Sequence, residues 1–262
     1  MKKPLIVGNW KTYIEKAEDA KKLATAIRRK ARLFTHASVV VAPAFTHLSV
    51  VGAVCAASPI GLAAQTVAVD EPHTGAVTAR MLKAQKVSTV IVGHSERRRF
   101  DAETDAMIAA ALDAVQSAGL TALLCVGESE RDPGGAHFAV IAEQLETALR
   151  PRGVGGATKL VIAYEPVWAI GKRADEAINV TELQEMVIFI RKQLTDLFGR
   201  AAAASVPILY GGSVEATNAP ELLESGVAGF LVGRASTKAE SFTELIIACK
   251  KIAKTKTRGT TR

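Results

Sequence analysis

The stretch Val161-Ile162-Ala163-Tyr164-Glu165-Pro166 shows the unit from which the fold of this chain is predicted. Its first residues form a short apolar, β-branched run that is typical of a buried strand. Proline cannot donate a ladder hydrogen bond and keeps the residue before it extended, so the strand ends at Glu165. A carboxylate at the carboxyl end of a strand is a candidate general base. An ordinary polar residue that closes a strand is the alternative interpretation.

Seven further apolar runs resemble this one, and each run is followed by a stretch with helical apolar periodicity. Counting the opening one, the eight runs begin near Leu5, Val39, Ile60, Val90, Leu123, Leu160, Ile208 and Phe230. Helical spacing is clearest in Ala17 to Ala31, Thr104 to Ala118, Phe138 to Leu149, Val180 to Phe198 and Phe242 to Ala253. Eight alternating units predict an α/β fold whose parallel strands close into a (β/α)8 barrel. An open doubly wound sheet is the alternative, but no Gly-x-Gly-x-x-Gly turn follows the first run.

Length and composition suit one barrel domain. The chain has 262 residues, which is within the range of a single α/β barrel. Hydrophobic residues make up 48% and aromatic residues only 5%, so the core is predicted to consist mainly of Ala, Val, Leu and Ile. We therefore expect residues 1–262 to form a single domain, with a flexible basic tail over about residues 250–262.

The cysteines and the start of the chain favour a cytoplasmic protein. Cys55, Cys125 and Cys249 are odd in number, widely spaced and set in or beside apolar runs. This pattern indicates packed free thiols in a reducing compartment rather than disulfides or a metal site. The apolar run after Met1 is too short for a signal peptide, and no segment reaches the length of a membrane span.

The net charge of +7 and the pI near 9.4 favour the capture of small anions. Much of the excess positive charge lies in the helix-like stretch from Lys21 to Lys30 and in the tail from Lys250 to Arg262. We interpret both as solvated surface. Nucleic-acid binding through the tail is the less favoured alternative, because no aromatic residues are interleaved with the basic ones.

Residues that can carry chemistry follow the predicted strands, whose carboxyl ends converge on one face of a barrel. They are Asn9-Trp10-Lys11, Gln65-Thr66, Gly93-His94-Ser95-Glu96-Arg97-Arg98, Glu165, Gly211-Gly212-Ser213 and Gly233-Arg234-Ala235-Ser236. Taken singly, most of these would be ordinary loop or capping residues. Their joint placement is the observation that predicts one site.

The residue types form a set for moving a proton next to a carbonyl group of a phosphorylated substrate. Glu165 supplies a base, and His94 at the start of a helical turn favours a neutral ring that donates a hydrogen bond. Lys11 supplies a cation, and Asn9 can orient an oxygen. The turns at Gly212 and Gly233 offer backbone N–H groups to a phosphate. The sequence shows neither a metal-ligand cluster nor a nucleotide fingerprint.

Six motifs in this order make the chain resemble the triosephosphate isomerase family along nearly its whole length. They are Gly8-Asn9-Trp10-Lys11, Val92 to Arg98, Cys125-Val126-Gly127-Glu128, Ala163 to Gly171, Tyr210-Gly211-Gly212-Ser213-Val214 and Leu231-Val232-Gly233. The resemblance implies a TIM barrel and the interconversion of dihydroxyacetone phosphate and D-glyceraldehyde 3-phosphate in glycolysis and gluconeogenesis. It implies no cofactor. A glutamate base beside a neutral histidine is already known from this family.

The resemblance also implies roles for individual residues. Glu165 would move a carbon-bound proton through an enediolate, while His94 polarises the carbonyl and shuttles protons between oxygens. Lys11 and Asn9 would stabilise the developing charge, with Glu96 positioning Lys11. The loop from Pro166 would close over the phosphate. The phosphate ligands would be the N–H groups of Gly171, Ser213, Gly233 and Arg234 and the turn at Gly212.

The sequence departs from the family at three functional positions. Lys172 to Glu176 contains no glycine where the family has a Thr-Gly-Lys-Thr-like hinge, which bears on loop closure. Arg234 stands where the family usually has glycine, and its N–H can donate if its φ is negative. Thr74 and Gly75 match a loop tip that enters a partner subunit, which implies a homodimer. Ala76 and Thr66 replace the family's glutamate and asparagine there.

Two other functions stay open at this point. An isomerase for a tetrulose phosphate would need the same base and electrophile. A non-catalytic protein could bind phosphorylated metabolites. The joint presence of Asn9, Lys11, His94 and Glu165 argues against the second function, because binding alone needs no proton-transfer base.

Overall fold

A computed structural model describes residues 3–56, 58–69, 73–172 and 178–250, and within these ranges eight strands alternate with helices. The strands are β1 Leu5–Asn9, β2 Ser38–Ala42, β3 Gly61–Ala64, β4 Thr89–Val92, β5 Thr121–Val126, β6 Leu160–Tyr164, β7 Ile208–Tyr210 and β8 Gly229–Val232. The α-helices are α1 Ala17–Arg29, α2 Leu48–Cys55, α3 Ala79–Ala84, α4 Ser95–Phe100, α5 Asp105–Ser117, α6 Ala136–Leu149, α7 Val180–Phe198, α8 Arg200–Ser205, α9 Ala219–Leu222 and α10 Ala239–Ala248.

The strands form a closed parallel barrel in sequence order. Closure occurs between the first and last strands, because β1 pairs with β2 on one side and with β8 on the other. Leu5 accordingly lies opposite both Ser38 and Gly229. This pairing confirms the predicted (β/α)8 barrel and excludes an open doubly wound sheet.

Alternate residues of each strand serve two apolar layers. In β1, Val7 points into the barrel, while Ile6 packs outward against the helices. The inner layer contains Val7, Ala42, Ala63, Ile91, Leu123, Cys125, Val161, Ala163, Leu209 and Leu231. Small and branched aliphatic residues therefore fill the interior, as expected when a parallel sheet is buried on both faces.

Local signals explain which helix limits could be predicted. The predicted limits of α7 match the structure, because Asn179 and Glu182 form a reciprocal capping box and Gly199, with φ +79°, ends the helix. α10 instead begins at Ala239, three residues before the predicted Phe242, and Lys238 at its N-cap supplies no side-chain cap. The predicted end at Ala253 and the predicted tail beyond residue 250 lie outside the described residues.

Two further expectations can be compared with the fold. Cys55, Cys125 and Cys249 are buried free thiols, as predicted. Among the described residues, no helix combines the length and apolar character that a membrane crossing needs.

Candidate active site

A cleft of about 440 Å³ lies at the carboxyl ends of the strands. It collects side chains and turns from both halves of the barrel. Its lining includes Asn9, Lys11, His94, Glu165, Gly171, Gly212, Ser213, Gly233 and Arg234. The structure therefore brings together nine residues that the sequence placed in one site.

The end of β1 holds Lys11 in an uncommon backbone conformation. Its φ is +47°, in the left-handed region that side chains other than glycine rarely adopt. The buried side chain of Asn9 accepts a hydrogen bond from the Lys11 N–H at 3.1 Å. Gln65 fixes the other side, because its Nε2 donates to the carbonyl oxygens of Lys11 and Ala42, each at 2.9 Å. The side-chain amides of Asn9 and Gln65 thus hold the Lys11 backbone, from which the ammonium group extends.

The Lys11 ammonium is paired with a carboxylate from another strand end. Its Nζ lies 2.6 Å from Oε1 of Glu96, which belongs to the first turn of α4. The Glu96 side chain remains 43% exposed, so the pair is accessible to solvent, although Lys11 lines the cleft and Glu96 does not. This contact places Glu96 where it can orient Lys11.

His94 is buried at the N-cap of α4, and its two ring nitrogens face different partners. Nδ1 accepts a hydrogen bond from the backbone N–H of Glu96 at 3.2 Å. An accepting Nδ1 carries no proton, which makes the ring neutral with its hydrogen on Nε2. Nε2 lies 3.1 Å from Oε1 of Glu165, so its hydrogen points toward the candidate base.

Glu165 follows β6 and is only 2% exposed. Its backbone N–H donates to the Val126 carbonyl at 2.8 Å, which continues the β5–β6 ladder by one residue. Its Oε2 accepts a hydrogen bond from the Ser95 N–H at 3.1 Å. The carboxylate is therefore held by partners on the β4–α4 turn and not by solvent.

Two glycines allow the chain to pack tightly against Glu165. A Cβ at Gly127 would lie 1.8 Å from the Glu165 carbonyl oxygen, and one at Gly211 would lie 2.8 Å from its Cγ. Neither separation is sterically allowed, so both positions require the absence of a side chain. The base is consequently fixed from the β5 side and from the β7 side.

The nearest thiol is held in its neutral form. Burial, reinforced by the adjacent Glu165 carboxylate and a hydrogen bond to it, raises the pKa of Cys125 well above its ordinary value. Cys125 points into the barrel interior. It is therefore a packing residue beneath the base and not an activated nucleophile.

Glu128 anchors the start of the loop that follows Glu165. Its Oε1 accepts hydrogen bonds from the Tyr164 hydroxyl and from Trp168 Nε1, each at 2.8 Å. Its backbone carbonyl accepts from the Val167 N–H at 2.9 Å. Burial is the largest effect that raises the pKa of Tyr164 far above its ordinary value, and the Glu128 carboxylate adds to it. Two contacts thus fix the first residues of this loop, and the contact with Tyr164 holds Glu128 against β6.

The turn after β7, Gly211 to Ser213, which the sequence predicts to bind phosphate, also contacts this loop. Ser213 Oγ lies within hydrogen-bond distance of the carbonyl oxygens of Ala169 at 3.1 Å and Lys172 at 2.7 Å, and its single hydrogen can be donated to either of them. Gly171 lies between these two residues with φ +78°. The Gly171 N–H and the turn from Gly211 to Ser213 are therefore on adjoining segments of the cleft wall.

The turn after β8 completes the predicted phosphate region. Arg234 begins a 3-10 turn that extends to Thr237, and its φ is not among the positive values. The Arg234 backbone therefore does not adopt the left-handed conformation, which meets the condition under which its N–H can donate to a phosphate. Ser236 is fully buried and its Oγ donates to the Gly233 carbonyl at 2.7 Å, which closes the turn.

The remaining predicted residues either do not line the cleft or are not among the residues that the structure describes. Thr74 and Gly75 form an exposed turn, with Gly75 at φ +84°, and neither lines the cleft. Of the atypical hinge, Lys172 is described and lies over the Trp168 ring, 5.9 Å from its centroid. Residues 173–176 lie outside the described residues.

Sequence reasoning missed the functions of Ser95, Gln65 and Glu128. Ser95 contributes a backbone N–H, which no side-chain pattern reveals. The Gln65 amide spans two strand ends, and the Glu128 carboxylate meets two aromatic donors far away in sequence. The positions of Gln65 and Ser95 after predicted strands, and of Glu128 in the motif Cys125-Val126-Gly127-Glu128, drew attention to these residues but did not reveal their hydrogen-bond partners.

Comparisons with known proteins agree with this geometry. The family model described as "Triosephosphate isomerase" matches residues 4–249. Triosephosphate isomerase of Thiobacillus denitrificans is 40% identical over 259 residues, covering 97% of this chain and all of the relative. That of Flavobacterium johnsoniae is 38% identical over 252 residues, covering 95% and 100%. The crystal structure of triosephosphate isomerase from Bartonella henselae superposes with a TM-score of 0.83 at 34% identity, covering 95% and 100%.

Proposed function

The chain belongs to the triosephosphate isomerase family, and from this premise we propose that it interconverts dihydroxyacetone phosphate and D-glyceraldehyde 3-phosphate. One observation carries the proposal for this site. The neutral His94 presents its Nε2 hydrogen to the buried Glu165 carboxylate at 3.1 Å, and Lys11, which is paired with Glu96, lines the same cleft. A base, a neutral proton donor and a cation are thus arranged around one space.

In the first step Glu165 removes a proton from C1 of dihydroxyacetone phosphate. The C–H electron pair becomes the C1–C2 double bond, and the carbonyl electrons move onto the C2 oxygen. His94 Nε2–H and the Lys11 ammonium stabilise that oxygen as negative charge develops there, with Asn9 orienting it. The product of this step is an enediolate with the proton held on Glu165.

In the second step the same proton-transfer groups act in reverse on the neighbouring carbon. His94 moves a proton from the C1 oxygen to the C2 oxygen, and protonated Glu165 delivers its proton to C2. The C1 oxygen becomes the aldehyde of glyceraldehyde 3-phosphate. Every proton that leaves one position is returned at another, so the reaction needs no external acid, base or cofactor.

The phosphate is bound where three backbone turns meet. The N–H groups of Gly171, Ser213, Gly233 and Arg234 and the turn at Gly212 supply donors to its oxygens, and closure of the loop after Glu165 brings Gly171 inward. Closure excludes water from the reactive enediolate. The contacts of Ser213 with Ala169 and Lys172 support this arrangement, because they already join the loop to the phosphate turn.

The proposal includes a homodimer that works in the cytoplasm, in glycolysis and gluconeogenesis. Exposed apolar side chains support a second copy as partner. Tyr13 and Phe100 are 53% and 70% exposed on the segments that follow β1 and β4, and Val69 and Met81 are exposed on either side of the Thr74–Gly75 turn. Such residues would be covered by a self-complementary interface. Sedimentation velocity distinguishes the dimer from a 27.7 kDa monomer.

A steady-state assay tests the catalytic proposal. Purified enzyme converts D-glyceraldehyde 3-phosphate in a coupled assay, with erythrulose 4-phosphate and erythrulose 1-phosphate as comparison substrates. We expect kcat/KM for the triose to exceed that for either tetrulose by at least about tenfold. A preference for a tetrulose phosphate would assign the chain to that isomerisation. Binding of phosphate without turnover of any substrate would contradict isomerase function altogether.

A further inference from the structure

Unpaired positive charge is concentrated at the end of the barrel opposite the cleft. We define the basic face as Lys3, Arg28, Arg29, Lys30, Arg32 and Lys250. Lys3 precedes β1, Arg28 and Arg29 end α1, Lys30 and Arg32 follow in the connection to β2, and Lys250 follows α10. All are exposed except Lys30, which is half-buried.

Hydrogen bonds show that these separate stretches share one end of the fold. The Ser38 N–H donates to the Pro4 carbonyl at 2.8 Å, which places Lys3 beside the start of β2. His36 Nε2 lies 2.7 Å from the Ile246 carbonyl oxygen and so joins the α1–β2 connection to the end of α10. Lys250 comes about one helical turn after Ile246. The sequence alone indicated a solvated basic face on α1, but it could not show that Lys3 and Lys250 lie close to that helix.

The stretches that form the basic face lack acidic residues. The sequence contains no Asp or Glu from Ala20 to Val69, and none from Leu245 to Arg262. After Lys250 it continues with five more Lys or Arg among residues 251–262. The nearest acids along the chain on neighbouring elements are Glu244 of α10 and Glu224 before β8. Glu244 lines the cleft, at the other end of the barrel from these cations.

The charges of the basic face are not neutralised internally. In the part of the chain that the structure describes, none of its six cations lies within 4.0 Å of a carboxylate, whereas Lys22 on the preceding turn of α1 is paired with Asp19. Six like charges on one surface repel one another, and this repulsion is relieved by a polyanion. The basic face is therefore complementary to a chain of phosphates.

We propose that the basic face binds the phosphate backbone of duplex nucleic acid without reading its sequence. Lys and Arg neutralise backbone phosphates and release their counterions. Phe34, the only Phe, Tyr or Trp of the described α1–β2 connection, is only 4% exposed and cannot serve as a stacking platform for unpaired bases, and the ring of His36 is engaged with the Ile246 carbonyl. The five-residue strand β1 separates this face from the cleft by roughly 17 Å, so binding leaves the cleft open.

Two variants of equal charge test the proposal. Arg28→Gln, Arg29→Gln and Arg32→Gln together remove three charges from the basic face and reduce the net charge from +7 to +4. Arg150→Gln, Lys192→Gln and Arg200→Gln remove the same three charges from another side of the barrel, at the end of α6, in α7 and in α8 and not at α1 and α10. Two of these positions are ion-paired and the third is exposed. Fluorescence anisotropy with a labelled duplex of about 25 base pairs, over a salt series, measures the binding of the full chain.

The basic-face variant should bind at least about tenfold more weakly at 50 mM salt, and its salt slope should fall by about 2 to 3. The control variant should bind within about twofold of the native chain, and duplexes of different sequence should bind equally. Isomerase activity and thermal melting check the fold of each variant. If the triple variant fails to fold, Arg29→Gln and Arg32→Gln singly should each lower the slope by about 1.

Four results would overturn the proposal. The native chain could show no salt-dependent binding. Both triple variants could lose the same affinity, which would make net charge sufficient. The basic-face variant could bind like the native chain, which would assign binding to residues after Lys250. Finally, vesicles containing phosphatidylserine could bind in place of the duplex, which would assign the face to a membrane surface.

Discussion

Oε2 of Glu165 accepts a hydrogen bond from the backbone N–H of Ser95 at 3.1 Å. The other carboxylate oxygen lies 3.1 Å from His94 Nε2, so both oxygens are held by consecutive residues of the β4–α4 turn. Hydrogen bonds to a charged group contribute about 1.5–3 kcal/mol. A substrate carbon is therefore reached only when the carboxylate exchanges at least one of these partners. Contacts with the substrate must offset that exchange.

Replacing Glu165 by glutamine tests its role as the base. The amide keeps the size of the side chain and can still accept from Ser95, but it cannot take a proton from carbon. We expect kcat to fall by at least about 10²-fold, with KM changed by less than about threefold. Steady-state kinetics measure both constants, and Glu185→Gln on the exposed surface of α7 is the control. A kcat within threefold of the native value would remove Glu165 from this role.

Replacing Glu96 by glutamine separates positioning of Lys11 from overall stability. The Lys11–Glu96 contact of 2.6 Å is partly exposed, so its loss should change the free energy of unfolding by less than about 1 kcal/mol. Without the Glu96 carboxylate the Lys11 ammonium is held less firmly in position. We therefore expect kcat/KM to fall by about tenfold, mainly through kcat. Urea unfolding and kinetics are compared on the same preparation. Equal and small effects on both quantities would show that Glu96 does not position Lys11.

Arg234 provides a prediction about substrate affinity. Its side chain lines the cleft, is exposed and, among the described residues, has no ion pair. We expect Arg234→Gln to raise KM by about three- to tenfold with kcat nearly unchanged, because the charge attracts substrate and transition state alike. The effect should shrink at high salt. Arg200→Gln is the control, and an unchanged KM would limit Arg234 to its backbone N–H.

Ala102 gives a stability prediction with a built-in comparison. Its φ is +53°, a conformation that glycine adopts more easily than alanine. Ala102→Gly should therefore stabilise the fold by about 0.5–1 kcal/mol. The same substitution at Ala110, an exposed position within α5, should destabilise it by about 1 kcal/mol. Urea unfolding of both variants checks the pair, and two effects of the same sign would contradict the argument.

Because the thiols are buried, we expect the free energy of unfolding to fall as the pH rises through the alkaline range. Burial raises the pKa of Cys55 from 9.0 to about 11, and a nearby Arg28 opposes the shift. Between these values an unfolded chain loses the proton while the folded chain keeps it, so stability is full below pH 9 and falls toward pH 11. The loss is at most about 1.4 kcal/mol per pH unit from this group. Cys55→Ala should show a shallower decline in unfolding free energy from pH 9 to 11. A decline as steep as in the native chain would exclude Cys55 as its source.

The fold could be predicted where sequence periodicity and end signals coincide. α7 has an apolar stripe, a capping pair at Asn179 and Glu182, and a terminal glycine, and its limits were predicted correctly. α1 was predicted two residues too long, because its basic last turn continues into the 3-10 turn Ala31–Leu33 without a residue that marks the boundary. Barrel closure followed from the number of units and not from any single element.

The candidate site could be predicted as a set of side chains but not as an arrangement. Lys11, His94 and Glu165 were identifiable because their chemistry resides in side chains at strand ends. The positive φ of Lys11 and the Ser95 N–H are properties of the backbone, and they depend on tertiary contacts such as those of Gln65. The pairing of Glu128 with Tyr164 and Trp168 is equally non-local, since it requires the register of β5 against β6.

Closure of the barrel bears on how the chain behaves at high concentration. Each described strand has a hydrogen-bonded neighbour on both sides, because the pairing of β1 with β8 completes the ring. An open sheet with strands this rich in alanine, valine and leucine would offer an unpaired edge to which other molecules could add strands. In this closed barrel, a strand from another molecule can add only after two neighbouring strands have separated. Aggregation of this protein is therefore expected to require substantial unfolding and to slow with every interaction that stabilises the barrel.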